Sequence, residues 1–169
     1  MKMKTGTGIV LCATLLVSAG QVLAEDAATY ATRSLTVETA LKAAQAALKK
    51  CRDSGWQAAV AVVDRSGVLQ VLLRDRYAGP HTPRTAGGKA WTAVSFRSNT
   101  GALVDLTQPG KAQSGLRNLP HVVVLGGGMI IEGGGQMLGA IGVSGAPGGE
   151  ADEACAKAGI AAIRESLEF

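Results

Sequence analysis

Aromatic side chains are nearly absent from this chain, with two Trp, two Tyr and two Phe among 169 residues. Binding of nucleic acid calls for a basic stripe and usually for exposed aromatics. The formal net charge is only +4, and falls to +2 once Lys2 and Lys4 are set aside. Composition therefore argues against a nucleic-acid partner, and no basic amphipathic stretch suggests attachment to a membrane surface. Histidine is as scarce as the aromatics, so imidazole chemistry rests on His81 and His121 alone. Cysteine occurs at three positions, and the spacing of Cys51 and Cys155 excludes a Cys-x-x-Cys zinc site. Without large rings, the core must be built from Ala, Val, Leu and Ile, with backbones packed closely at Gly and Ala.

Residues 1 to 24 read as a secretory leader: Lys2 and Lys4 make a basic start, Gly8 to Ala19 is an apolar run, and Val22-Leu23-Ala24 is a small-residue cleavage site. The run is shorter than the roughly 20 residues that span a bilayer. The expected mature chain therefore begins at Glu25, is periplasmic or secreted, and keeps no membrane attachment after processing. Residues 25–169 suffice for one domain with a real core and are too few for two ordinary ones. An oxidising compartment permits a Cys51–Cys155 disulfide. Both cysteines fall on or beside apolar helical stripes, which suits a bridge and two buried thiols equally.

Thr36 is placed to cap a helix whose apolar positions Val37, Leu41, Ala44, Leu48 and Cys51 recur at helical spacing until Asp53-Ser54-Gly55 ends it. Ala58 to Val63 and Val68 to Leu73, joined by Asp64-Arg65-Ser66-Gly67, predict a β-hairpin. Thr82-Pro83 reads as an N-cap followed by proline at the first helical position, and the helix runs to about Phe96 with Ala86, Ala90, Ala93 and Val94 inward. Residues 97–120 lose all periodicity, which implies a functional loop or one with short helices of its own. Three strands are then expected at His121 to Leu125, Met129 to Ile131 and Gln136 to Val143, before a last helix from about Glu150 to Leu167. The order predicts a five-stranded, mainly antiparallel sheet in an α+β fold with flanking helices.

The glycine-dense joint Gly139-Ala-Ile-Gly-Val-Ser-Gly-Ala-Pro-Gly-Gly-Glu150 is where a ligand or a neighbouring chain could approach the backbone. Gly145, Gly148 and Gly149 precede a helix, whose free N–H groups attract anions. Glu150 and Asp152 oppose a phosphate there, and neither a Walker loop nor a dinucleotide fingerprint is spelled out. A subunit-shared contact at these glycines is the preferred expectation. His81 lies at a helix N-terminus, which favours a neutral ring able to act as ligand or base, or it is a solvent-facing turn residue. His121, at a strand start, reads as structural. Lys89, between Gly87, Gly88 and Ala90, is either a partly buried group that binds a carboxylate or acts as a base, or one half of an ordinary salt bridge. Arg84 and Lys89, five residues apart, do not share one helical face squarely. Ser144 fails the Gly-x-Ser-x-Gly nucleophile elbow at its last residue, and no catalytic group is assigned.

The Ala78-Gly-Pro-His-Thr82 loop, the Lys89-Ala-Trp-Thr-Ala93 helix, the glycine-rich hairpins, and Gly139 to Glu150 followed by Asp152-Glu-Ala-Cys-Ala156 together resemble the GlcG/HbpS-like family over nearly all of the mature chain. The resemblance implies a profilin-like or PAS-like sandwich that assembles into homo-oligomers, octamers or hexamers. It implies a small-molecule ligand, with haem or a related tetrapyrrole foremost. On that reading His81 is the candidate ligand to the haem iron, and Arg84 or Lys89 pairs the propionates. An enzyme acting on a small carboxylated or carbonyl metabolite, or a ligand-free accessory oligomer, is the alternative.

Overall fold

The computed structural model describes residues 28–168, and the expected leader at 1–24 lies outside them. Helix α1 spans Val37–Asp53, and the Thr36 hydroxyl accepts the Thr39 N–H at 3.3 Å, as its capping position predicts. Its inward stripe is Ala40, Ala43, Ala44, Ala47, Leu48 and Cys51; Val37, expected inward, is exposed. Strands β1 (Ala59–Asp64) and β2 (Leu69–Arg74) form the expected antiparallel hairpin. Its turn is fixed by Asp64, whose Oδ1 accepts the N–H groups of Ser66 and Val68.

Helix α2 spans Thr82–Phe96, with Ala86, Ala90, Ala93 and Val94 buried as the spacing requires. Its N-cap position is His81 rather than Thr82; the Thr82 hydroxyl instead donates to the Gly79 carbonyl at 2.8 Å. The aperiodic connection contains helix α3 (Thr100–Leu106) and a 3-10 turn at Ser114–Asn118. Thr100 pins α3 to the next strand: its hydroxyl donates to Leu125 O and accepts from Gly128 N.

Strands β3 (Gly128–Gly133) and β4 (Gln136–Ser144) complete one antiparallel sheet in the order β2-β1-β4-β3. The sheet has four strands, not five, because His121 to Leu125 does not pair. His121 adopts a left-handed conformation (φ 68°), and the Val123 N–H donates to the Thr92 hydroxyl on α2 instead of to a neighbouring strand. The half-buried valines there cover α2. Helix α4 spans Gly149–Ala161 and then breaks; a 3-10 turn at Arg164–Leu167 brings Ile163 and Leu167 into the core, where one continuous helix to Leu167 is expected from sequence.

The architecture is three-layered α+β. Val60, Val62, Ile141 and Val143 face α1 and α4 on one side of the sheet, while Ala59, Ala61, Val63 and Ala140 face α2 on the other. Cover on both sides explains why β1 reads as an uninterrupted apolar run. Small residues let α2 settle onto the sheet: a Cβ at Gly142 would lie 2.1 Å from the Ala86 carbonyl oxygen. Cys51 and Cys155 form a disulfide between α1 and α4 with Cα atoms 5.5 Å apart, which resolves the alternative left open by the sequence. Among the described residues no helix is long and apolar enough to cross a membrane.

Candidate functional site

Two recesses flank α2, and they divide the sequence-derived candidates between them. The larger, about 850 Å³, lies between the start of α2, α3 and the β4–α4 joint, and is lined by His81, Lys89, Gly145, Gly148 and Gly149 together. The smaller, about 450 Å³, lies on the other side of α2 and is lined by Arg84, Trp91 and His121, with Val63, Leu69 and Val123 as apolar walls. Arg84 is thus not brought to His81, in keeping with its five-residue offset from Lys89.

The floor of the larger cleft is a buried ion pair. Lys89 Nζ lies 2.6 Å from Asp152 Oδ2, with both side chains about 95% buried, and donates a second bond to the Val143 carbonyl at 2.9 Å. Asp152 Oδ1 also accepts the Ala146 N–H at 3.0 Å, which ties the glycine joint to α4. Burial raises the Asp152 pKa above the ordinary carboxylate value, while Lys89 and the Ala146 N–H pull against that shift. Gly127 (φ 114°) passes so close that a Cβ there would meet Lys89 Nζ at 3.0 Å.

Sequence spacing alone did not join Lys89 to Asp152, which lie 63 residues apart. A signal was nonetheless present. Thr82, Ala86, Lys89, Ala90 and Ala93 share the inward stripe of α2, and Asp152, Cys155, Ala156 and Gly159 share that of α4. One charge of each sign on an inward helical stripe asks for an opposite partner, because an unpaired buried charge is very costly.

The glycines have distinct tasks. Gly145 (φ 132°) turns the chain out of β4, and Gly149 is pressed against Gly126, whose Cα would lie 2.8 Å from a Cβ at 149. That second contact is made within the chain itself, between the start of α4 and the segment leading to β3. His81 is exposed, and its side chain makes no capping hydrogen bond. Four carboxylates, from Asp105, Glu150, Asp152 and Glu153, line the cleft, and its lysine is already committed to Asp152. This electrostatic character opposes an anionic ligand.

The smaller groove has the reverse character. The His121 ring stands edge-on to Trp91 with centroids 6.1 Å apart, Arg84 is exposed at the rim, and among the described residues no carboxylate lines it. Gly88 lies directly beneath: a Cβ would meet Val123 Cγ2 at 2.5 Å, so the 121–123 segment rests on the helix backbone. Gly87, by contrast, faces open space. A haem site needs an axial donor, commonly imidazole, with an apolar slot and cations for the propionates; His121, Trp91 with its neighbours, and Arg84 fit that set.

A family model described as haem degrading protein HbpS-like matches residues 35–161. The chain is 38% identical to HbpS, over 83% of this chain and 97% of that one, with a TM-score of 0.75. It is 32% identical to PduOC, whose crystal structure is a complex with haem, over 77% of this chain and 95% of that one, with a TM-score of 0.73. The corrinoid adenosyltransferase PduO of Salmonella typhimurium is 35% identical over 121 residues, which is 70% of this chain but only 36% of that protein. With its family model spanning α1 to α4 and its fold shared along almost the whole length of HbpS and PduOC, this chain belongs to the HbpS-like family.

Proposed function

We propose that this chain is an exported, self-associating haem- or tetrapyrrole-binding protein whose haem site is the groove between α2 and residues 121–123. The observation that carries the reading is the convergence of His121, Arg84 and Trp91 on one groove free of carboxylates. His121 would supply the nitrogen donor to iron, Arg84 would pair a propionate, and Val63, Leu69, Trp91 and Val123 would cover the ring. Bound haem would bring a redox-active iron to this surface. The haem complex of PduOC supports the ligand class. The Cys51–Cys155 disulfide supports export, since such bonds persist in oxidising compartments. Exposed Val68 and Leu72, on and beside edge strand β2, support self-association.

His81 is the competing donor. It sits among the carboxylates of the larger cleft, where propionates would be repelled, and Arg84 is on the other side of α2.

Titration with haem, followed by the Soret band, tests the assignment. Saturable binding is expected in the wild type and in His81→Ala, at least tenfold weaker binding in His121→Ala, and a smaller loss in Arg84→Gln. Gly87→Leu projects a side chain into open space beside the groove and is expected to block uptake while leaving unfolding unchanged. Binding lost in His81→Ala and kept in His121→Ala would move the site to the other cleft. Absence of saturable binding in the wild type would sink the haem reading altogether.

A further inference from the structure

The larger cleft has a built interior that haem binding in the groove leaves unused. Lys89 consumes one of its four carboxylates, leaving Asp105, Glu150 and Glu153 around the opening. Glu153 is held only loosely, with Lys157 3.9 Å away, and Gly101 leaves room for its carboxylate: a Cβ there would lie 2.2 Å from Glu153 Oε1. A second and independent feature is Ser144, at the end of β4. Its residue is 5% exposed and lines the cleft, and among the described residues its hydroxyl has no hydrogen-bond partner. Among the described residues no fully buried side-chain oxygen lacks a partner, so this hydroxyl keeps its small exposure toward the cleft, where a ligand can hydrogen-bond to it. Between these polar groups Val104 and the exposed Leu125 add apolar wall.

We infer that this cleft binds a small aliphatic diamine. One ammonium group would donate to Ser144 Oγ and the carboxylates near the α4 start, the second would lie toward Asp105, and the methylene chain would run over Val104 and Leu125. Every free polar side chain named here can accept from an ammonium, whereas a dicarboxylate would meet like charge. Positive charge near a helix N-terminus is disfavoured by the dipole, but three full carboxylate charges outweigh the half-unit charge of the helix end. The volume, about 850 Å³, lies within the range of small-molecule sites.

Isothermal titration of the haem-free protein with 1,4-diaminobutane is the test, with butane-1,4-diol as the neutral isostere and succinate as the anionic one. Saturable binding of the diamine alone is expected, weakening as salt is added. Asp105→Asn and Glu153→Gln should each weaken it about fivefold, the factor for a charge pair at 4 Å in water-like surroundings. Ser144→Ala should also weaken it, and Glu132→Gln, on β3 outside the cleft, should not. No saturable heat up to about 10 mM diamine, well beyond a millimolar dissociation constant, would overturn the inference. So would equal binding of the diol, or binding within twofold of wild type in the Asp105→Asn/Glu153→Gln double variant. The isostere comparison uses only wild-type protein and decides the matter even if a variant fails to fold.

Discussion

Replacing Lys89 by Met removes one half of the buried pair while keeping the length of the side chain. Asp152 would then retain the Ala146 N–H at 3.0 Å as its remaining bond, in a position where its side chain is only 5% exposed. Breaking a buried pair from one side costs about 3–5 kcal/mol, because the orphaned charge stays desolvated. For a domain of this size, with an unfolding entropy near 2.1 cal/mol/K per residue, that corresponds to a fall in Tm of roughly 10–17 °C. Chemical denaturation at pH 7 should show the loss with an unchanged m-value. The pH dependence gives a second handle. Burial already raises the Asp152 pKa, and losing Lys89 raises it further. The native variant would then bind a proton at a pH where the unfolded chain does not, so its stability falls as pH rises through the native pKa and recovers as pH drops towards 3.8. Lys89→Met should therefore approach wild type as pH falls below the raised native pKa of Asp152 towards 3.8. Lys89→Met/Asp152→Leu should recover most of the loss at pH 7, since an apolar replacement of the whole pair is often near neutral. A single variant within about 1 kcal/mol of wild type at pH 7, or a deficit that does not shrink in acid, would refute this account of the cleft floor.

Two further perturbations test the packing that positions both recesses. The disulfide closes a separation of 104 residues, for which chain entropy gives about 4.7 kcal/mol, so Cys51→Ala/Cys155→Ala should lose roughly 2–5 kcal/mol in urea unfolding; a loss below about 1 kcal/mol would mean the α1–α4 contact needs no covalent tie. Gly142→Ala places a methyl 2.1 Å from Ala86 O and 2.7 Å from Ala90 N, both backbone atoms, so α2 must lift from the sheet at a cost of at least about 1–3 kcal/mol. Gly87→Ala, next to Ala86 on α2 but with nothing within 4 Å of its Cβ, should be neutral or stabilising by up to about 1 kcal/mol; equal effects of the two would contradict the packing.

Local chemistry made much of the fold legible. Thr36 with its following stripe, the Asp64 turn and Pro83 at the head of α2 act within a few residues of themselves, and each element formed close to its expected limits. Residues 121–125 depart from the expected strand because an apolar run does not say whether it lies in a ladder or over a helix; the Thr92 hydroxyl and the left-handed His121 decide that, and neither is a periodic signal. The helix after Glu150 ends at Ala161 because Ile163 and Leu167 reach the core through a 3-10 turn, a tertiary demand invisible to helical spacing. The same holds for the sites. Periodicity placed His81, Arg84 and Lys89 along one segment, but which side of α2 each serves depends on chain arriving from residues 121–123 and 144–153.

The α1–α4 layer is made from the two extremes of the folded unit, with Cys51 joined to Cys155 and Gly159 seated where a Cβ would meet the Ala43 carbonyl oxygen at 2.7 Å. During synthesis the first helix and the β1–β2 hairpin emerge long before the segment that completes their cover. Until Gly149–Ala161 is made, one side of α1 has no neighbour and the Cys51 thiol no mate. A growing chain thus carries this uncovered apolar surface until α4 emerges, and a ribosome stalled short of that helix would hold a substrate for chaperones rather than a smaller version of the protein.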